Sequence, residues 1–327
     1  MLSFPDFKEK NIVIIFSTKG EKISIRNDNL LVTDGDEKVI LQTTCYRMLA
    51  LWIVGGCTLT SGIMERSKKF AFPIYLLSYN FRCIGNWNAG VEGNFLLRHK
   101  QYSYNSMEIA KRLVANKLYN QVQLLKSIRQ KDESCKRTIN TIQQYAVKLN
   151  APVDLQAILG IEGVASRIYF AQWFKQMDWH GRMPRAKRNI INVLLDIGYT
   201  FLFYFVENMM NLYGFDIYQG VYHKLFYQRK SLICDLVEPF RCIVDKQIKK
   251  AYNLGQIKAE DFIYKNGQYK LSYKKSKEYT GWLLTVILEN KSDIFIYCQS
   301  YYRAFMRKKT ISKYPFFKIN KPYKKLK

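Results

Sequence analysis

The sequence predicts an α+β protein. It has a small N-terminal β-domain over residues 1–85, a linker over 86–105, and a larger all-α C-terminal domain over 106–327 that ends in a basic tail. Three observations predict this. Short apolar or alternating runs broken by glycine and aspartate fill the N-terminal part, as strands and tight turns require. The stretch CIGNWNAGVEG, 83–93, is rich in glycine and asparagine and reads as the break between domains. Beyond about residue 103 the apolar residues recur at helical spacing instead.

Taken in order, strands are expected at 11–16, 22–26, 30–33, 39–42, 51–54 and 73–77, with turns at Gly20, Asp28, Asp34-Gly35-Asp36 and Gly55-Gly56. The longest uncharged run, 48–64, contains Gly55, Gly56, Thr58, Thr60, Ser61 and Gly62. It is shorter than a membrane span and is expected to be buried strand and turn. Helices are expected at 106–125, at 133–149 with Ile139, Ile142, Tyr145 and Val147 on part of the apolar face, and at 151–175, entered through Pro152 and Asp154. The run 189–213 is the most apolar and is expected as the central buried helix, followed by helices at 231–255 and 279–308. There is no internal repeat.

At 327 residues and 48% hydrophobic content the chain has ample material for a core, which excludes global disorder. The net charge of +26 and a pI near 9.7 point to a polyanionic partner, nucleic acid first and an anionic membrane surface second. Seven scattered cysteines, with no CxxC pair, fit reduced thiols of an intracellular, cytoplasmic protein and not a disulfide framework or a zinc site. The N-terminus lacks the shape of a signal peptide. After Asp293 no acid occurs, while lysines and arginines alternate with Tyr301, Tyr302, Tyr314, Phe316, Phe317 and Tyr323. Such a tail has the composition to pair phosphates and stack on bases. A second basic face, Lys111, Arg112, Lys117, Lys126, Arg129, Lys136 and Arg137, is a further candidate for DNA contact.

The chemistry concentrates in 220–245, where His223, one of only three histidines, precedes Asp235 and Glu238. A histidine with carboxylates in a chain short of acids suggests a divalent cation held beside a polyanion. His223 and Glu238 are fifteen residues apart. On one unbroken helix that is about 22 Å, too far to share a cation. Ser231, an N-cap candidate ahead of Leu232, Ile233, Leu236 and Val237, offers the needed break. A third group must come from elsewhere. Glu162, set between Gly160 and Gly163 on a helix, is the best placed, and the glycines suggest close backbone approach there. A Glu–His–Glu set suits Mn²⁺ or Mg²⁺. The spacing leaves structural pairing open: Glu162 with Arg167 or another helix, Glu238 with Arg241, and a merely satisfied His223.

Four groups of residues, in order along most of the chain, resemble the CRISPR-associated protein one family of spacer integrases. Leu97-Arg98 with Gln101-Tyr102 is similar to its LR..QY, and Ile161-Glu162-Gly163 with Ala165 and Tyr169-Phe170 to its EG.A...YF helix. Arg188, Asn192, Leu194-Leu195 and Gly198-Tyr199 resemble R...N.LL..GY. The most specific match is Gly220-Val221-Tyr222-His223, Ser231-Leu232, Asp235-Leu236, Glu238 and Phe240-Arg241, to G.LH.......SL..DL.E.FR. The chain departs at Tyr222, usually leucine, at Lys230, often proline, and at Cys234, often a bulky apolar residue.

The resemblance implies the same two-domain fold, with the β-domain as dimerisation element. It implies a metal-dependent DNA integrase and endonuclease that inserts short spacer DNA into a CRISPR repeat array by 3′-hydroxyl transesterification. It puts Glu162, His223 and Glu238 at the metal positions, with Mg²⁺ or Mn²⁺ as cofactor, and Asp235 at a neighbouring catalytic acid. Arg98, Lys224, Arg229, Lys230 and Arg241 are the expected phosphate contacts by residue type. The implied partners are double-stranded DNA, a second copy of the chain in a homodimer or larger assembly, and the smaller CRISPR-associated protein two; a membrane is not among them. Two other readings of the same fold are a non-catalytic nucleic-acid scaffold and a structure-selective nuclease on branched DNA.

Overall fold

The computed structural model describes residues 3–17, 20–91, 93–184, 186–223 and 226–320. The chain divides into two compact units, Met1–Asn94 with Asn208–Phe215, and Phe95–Glu207 with Asp216–Lys327. An N-terminal β region followed by a mostly helical region is the fold class the sequence predicts.

The first unit begins with a short helix α1 (Phe4–Glu9), capped by Ser3, then β1 (Asn11–Ser17), β2 (Lys22–Arg26), β3 (Asn29–Thr33), β4 (Val39–Thr44) and β5 (Met48–Gly55). Helix α2 (Ser61–Phe70), β6 (Ile74–Leu77) and β7 (Cys83–Trp87) follow. A four-stranded sheet runs β1-β5-β6-β7, with β1, β5 and β6 parallel and β7 antiparallel. Strand β5 is buried at every residue from Met48 to Val54, as a central parallel strand covered on both faces should be. The antiparallel sheet β2-β3-β4 turns at Asn27 and Asp28, both at positive φ (49° and 57°), the geometry of a tight two-residue hairpin. Ile23, Leu30 and Val32 from this sheet meet Ile15, Leu51, Ile53 and Ile63 in one core.

Two expectations change here. The parallel pair β5–β6 needs a crossover, and α2 supplies it where only a turn was expected. Residues 83–87, read as the start of a linker, form strand β7 instead, because alternate residues pair with β6 at the sheet edge. Residues 208–215 belong to this unit through their own bonds: Asn208 Nδ2 donates to the Leu49 carbonyl at 2.9 Å, and Val91 N–H to the Asn211 carbonyl at 3.1 Å.

The second unit opens with α3 (Phe95–Tyr102), a helix inside the expected linker. Its main helices are α4 (Glu108–Lys126), α5 (Glu133–Lys148), α6 (Leu155–Trp173) and the part of α7 (Ile190–Asn211) up to Glu207. Asp132 caps α5 on the Cys135 N–H at 2.7 Å and Asp154 caps α6 on the Ala157 N–H at 2.8 Å. Helix α7 is long and apolar enough to cross a membrane, but 78% of its most apolar window is buried in protein, as expected of a central core helix. The expected helix 231–255 is broken into α8 (Ser231–Val237) and α9 (Arg241–Asn253) by a 3-10 turn, Glu238–Phe240, around Pro239, which lacks the N–H a continuous helix needs. Next comes a hairpin of β8 (Phe262–Lys265) and β9 (Gln268–Leu271), so the unit is not purely helical. The expected helix 279–308 is two, α10 (Tyr273–Glu289) and α11 (Lys291–Met306), parted at Asn290.

Beyond α11 the chain straps back over α4. Asn116 bonds both the carbonyl and the N–H of Phe317, at 2.6 and 2.8 Å. Asn120 donates to the carbonyls of Phe317 (3.0 Å) and Pro239 (3.2 Å) and accepts from the Ile319 N–H (3.0 Å). Tyr301, Tyr314 and Phe317 are buried, and Phe316 stacks under Arg112, so these rings are packing groups and not the base-stacking tail expected of them. Residues 321–327, with Tyr323 and the last lysines, lie outside the described residues. Replacing Asn120 with leucine keeps volume but removes three hydrogen bonds to backbone groups, the Pro239 and Phe317 carbonyls and the Ile319 N–H. It is expected to lower the unfolding free energy by about 3 kcal/mol or more in a urea titration; a change under about 1 kcal/mol would show that the strap is not held here.

Candidate functional site

Glu162 lies in α6 and Glu238 opens the 3-10 turn between α8 and α9. One buried amine joins them. Lys117 of α4 hydrogen-bonds Glu162 Oε1, and its Nζ is 2.7 Å from Glu238 Oε2. The other Glu238 oxygen, Oε1, pairs with Arg241 Nη2 at 2.9 Å, and the Arg241 guanidinium sits 4.5 Å over the Tyr199 ring. Ser166, one turn on from Glu162, donates to its Oε1 at 2.9 Å, and Gln121 Nε2 donates to Ser166 Oγ at 3.3 Å. Lys117 is 8% exposed and Glu238 5%. Burial alone would raise the Glu238 pKa, but Arg241 and then Lys117 overcome it and bring it down to about 2. Burial works to lower the Lys117 pKa, and Glu238 and Glu162 outweigh it, holding the amine above its ordinary range.

The second half of the site is built on Asp235, fully buried in α8. Its carboxylate accepts the backbone N–H groups of Val221 (2.6 Å), Tyr222 (3.0 Å) and His223 (2.8 Å), and contacts His223 Nδ1 at 2.6 Å. A carboxylate only accepts, so Nδ1 is the donor and Nε2 is the ring nitrogen left for another partner. The chain wraps this closely because residue 220 is glycine. A Cβ there would stand 2.8 Å from Asp235 Oδ2 and 2.9 Å from Ser231 Cβ. Helix α8 does begin at Ser231, but Ser231 is not its cap. Lys230 holds that position, and the Leu232 N–H is taken by the Ile217 carbonyl at 3.1 Å, so the folded-back segment caps the helix with its own backbone. Tyr222 is buried beside both glutamates. Burial first, then Glu162, Glu238 and Asp235, push its phenol well above the ordinary range.

Glu162 and Glu238 line a cleft of about 1470 Å³, together with Arg167, Arg182, Arg229 and Arg241 and with Phe170, Trp179, Phe226 and Tyr227. Phe226 and Tyr227 are 75% and 84% exposed. Arg182 is fixed by Asn192 Oδ1 at 2.9 Å and Asp196 Oδ1 at 2.6 Å. A Cβ built at Gly160 or Gly163 meets nothing within 4 Å, so these glycines do not permit close helix packing as expected. Gly163 instead leaves the cleft open next to Glu162.

The structure thus brings Glu162 and Glu238 onto one cation and His223 onto Asp235. Among the described residues, no three His, Cys, Asp or Glu side chains stand close enough to hold a metal, and the Lys117 ammonium fills the gap between the glutamates. The donor chemistry nevertheless fits a divalent ion. Two carboxylates from separate elements already share a positive charge, and the histidine is oriented through Nδ1 as metal-bound histidines are.

The expected phosphate contacts divide. Arg229 is exposed at the cleft and Arg241 lines it while bound to Glu238. Lys230 is spent on Glu207, a fully buried carboxylate 2.6 Å away, because a buried charge cannot go unpaired. Arg98 lies half-buried on α3, and Lys224 is outside the described residues. The basic face is not one surface either: Lys117 is buried among the acids and Arg112 donates to the Tyr314 carbonyl at 3.1 Å. The sequence carried a sign of Lys117's place. It falls at helical spacing with Leu113, Val114, Leu124 and Leu125, on the buried face of α4. Arg167, Arg182 and Trp179 had no such sign, since the loop between α6 and α7 sets two of them.

Comparison with known proteins gives a family. The profile of the family described as "CRISPR associated protein Cas1" matches residues 14–283. The chain is 29% identical over 224 residues to the "CRISPR-associated endonuclease Cas1 1" of Thermodesulfovibrio yellowstonii, covering 64% of this chain and 70% of that one. Its fold matches the structure titled "Cas6-RT-Cas1--Cas2 complex" with a TM-score of 0.80 at 21% identity, over 96% of this chain and 36% of that one. It also matches "Casposase bound to integration product" with a TM-score of 0.78 at 20% identity, over 95% of each chain. The chain belongs to the Cas1 family.

Behind the acids, Asp245 of α9 ties three helices together. It accepts from Tyr199 Oη at 2.5 Å and Tyr169 Oη at 3.0 Å, and its carbonyl accepts from Trp173 Nε1 at 3.1 Å. Burial raises its carboxyl to about 6 against the lowering by both tyrosines. The folded state therefore binds this proton more tightly than the unfolded chain. The resulting stability is present below about pH 4 and is lost as pH rises through about 6. Asp245→Asn does not titrate. Its unfolding free energy relative to wild type should improve by about 2 kcal/mol between pH 4.5 and 7.5 in urea titrations; a difference that stays constant with pH would disprove the assignment.

Proposed function

We propose that this Cas1-family chain is a divalent-metal-dependent DNA strand transferase and endonuclease that inserts short spacer DNA into a repeat array. The observation that carries this reading is the convergence of Glu162 and Glu238, from separate elements, on one buried positive charge in an arginine-lined cleft. The relatives named endonuclease, and the similar fold of a casposase on its integration product, support it.

In this reaction a DNA 3′-hydroxyl attacks a phosphodiester. One P–O ester bond forms as another breaks, so no covalent protein intermediate is needed. Mg²⁺ or Mn²⁺, held by Glu162, Glu238 and His223 Nε2, would neutralise charge on the transferred phosphate. Asp235 keeps the imidazole in the tautomer that exposes Nε2. Arg241 holds Glu238 ionised and in place. Arg229 and Arg167 present guanidiniums to the backbone phosphates that enter the cleft. Water in place of the 3′-hydroxyl turns the same arrangement into an endonuclease.

A spacer has two ends, so the working form is a homodimer or larger assembly, with the β-domain over 1–85 as its dimerisation element. The fold match to a complex that contains Cas2 supports a companion of that kind. Glu162→Ala and His223→Ala are each expected to lower strand transfer about a hundredfold or more while circular dichroism and DNA binding stay intact. Normal joining by a folded His223→Ala protein would sink the metal assignment. Binding to duplex DNA should weaken by at least about a hundredfold from 50 to 200 mM salt; an affinity that hardly moves would show that phosphate neutralisation is not its main source.

A further inference from the structure

The ammonium of Lys117 occupies the place between Glu162 and Glu238 where, on the reading above, the divalent ion binds. We infer that Lys117 is a built-in counter-cation: it holds the two glutamates together in the metal-free protein, and the metal enters by displacing it into the cleft. The inference rests on the metal reading and goes beyond it.

Four observations carry it. The amine touches both carboxylates at once, which is the position of a bridging ion and not of a peripheral neighbour. Charges in the cluster already balance, with Lys117 and Arg241 against Glu162 and Glu238. A divalent ion added without moving a cation would therefore face two positive charges at close range. Arg241 is not the group that yields, because it is bound to the other oxygen of Glu238 and stacked on Tyr199. Lys117 has both the means and the space to move: a flexible four-carbon stem, and a place on the cleft lining. Once displaced, its charge is presented to the phosphates in the cleft, so metal loading adds a cation where DNA lies.

The test uses full-length protein, Mn²⁺ as probe and two readouts that do not depend on activity. Calorimetric titration should show Lys117→Met binding Mn²⁺ at least about tenfold more tightly than wild type. The metal-free variant should melt at lower temperature than wild type and gain more from Mn²⁺. If metal-free Lys117→Met does not fold, wild type decides the matter by brief acetylation with an amine-reactive ester and peptide mass spectrometry. Lys117 should be protected without metal and several-fold more reactive at saturating Mn²⁺, while the exposed Lys126 stays constant. A variant that binds Mn²⁺ no more tightly, or a Lys117 whose reactivity ignores Mn²⁺, overturns the proposal and leaves the metal site standing. If neither wild type nor variant binds Mn²⁺, the metal reading falls and this inference falls with it.

Discussion

Glu162 and Glu238 are held close together in protein, and two such carboxylates repel unless a positive charge lies between them. Lys117 provides that charge, and α4 is the helix on which the arrangement depends. Three of its residues within two turns reach the site. Lys117 binds both acids, Gln121 holds the serine that holds Glu162, and Asn120 holds the Pro239 carbonyl next to Glu238. Asn116 and Asn120 also anchor the C-terminal strap. Breaking a buried ion pair by removing one partner costs about 3–5 kcal/mol, so the placement of α4 and the charge state of the site are one constraint. A polar face buried to this extent contributes little net stability. Its value lies in fixing two acids that would otherwise repel.

The two halves of the site are fixed by different means. The glutamates sit on helices and a turn packed into the core, and their spacing is set by side-chain charge. His223 sits on an irregular segment, and its position is set by backbone: three consecutive N–H groups close on Asp235, and the ring follows from the third. A buried aspartate surrounded by N–H donors tolerates no intervening side chain, which is why Gly220 lies where a Cβ would strike it. The histidine is thus located to within a hydrogen bond. The chain past it still presents Phe226 and Tyr227 to solvent at the cleft mouth.

Much of this was legible in sequence, for physical reasons that differ by element. Strands β2 and β3 were readable because alternation and the Asn27-Asp28 turn agree. Helix α7 was readable because a long apolar run has few other fates. Strand β7 was missed because a short edge strand rich in glycine and asparagine has the composition of a loop. The hairpin β8–β9 was missed because its strands are short, largely exposed and set between helices, although the Asn266-Gly267 turn, both residues at positive φ, marked it in the sequence. In the site, the break near Ser231 followed from arithmetic, since fifteen helical residues cannot bring His223 near Glu238. Its capping did not follow, because the cap is a carbonyl from Ile217 and no sequence pattern marks a long-range backbone acceptor. Lys117 was placed on a surface because charge was weighed above periodicity, and the apolar neighbours at its helical spacing were the better guide.

The net charge of +26 is not one undivided property. Of the 52 lysines and arginines behind it, some only balance buried acids and add nothing to the net: Lys117 on two glutamates, Lys230 on Glu207, Arg182 on Asp196 and Arg241 on Glu238. These pairs are wholly or largely buried, where salt screens weakly. Arg167 and Arg229 are exposed on the same cleft, where salt screens strongly. On the proposed function, the cations that hold the acids in shape and those offered to a phosphate backbone therefore respond differently to ionic strength. Added salt would weaken binding to DNA before it loosened the acid cluster, so capture and chemistry would be separable by salt.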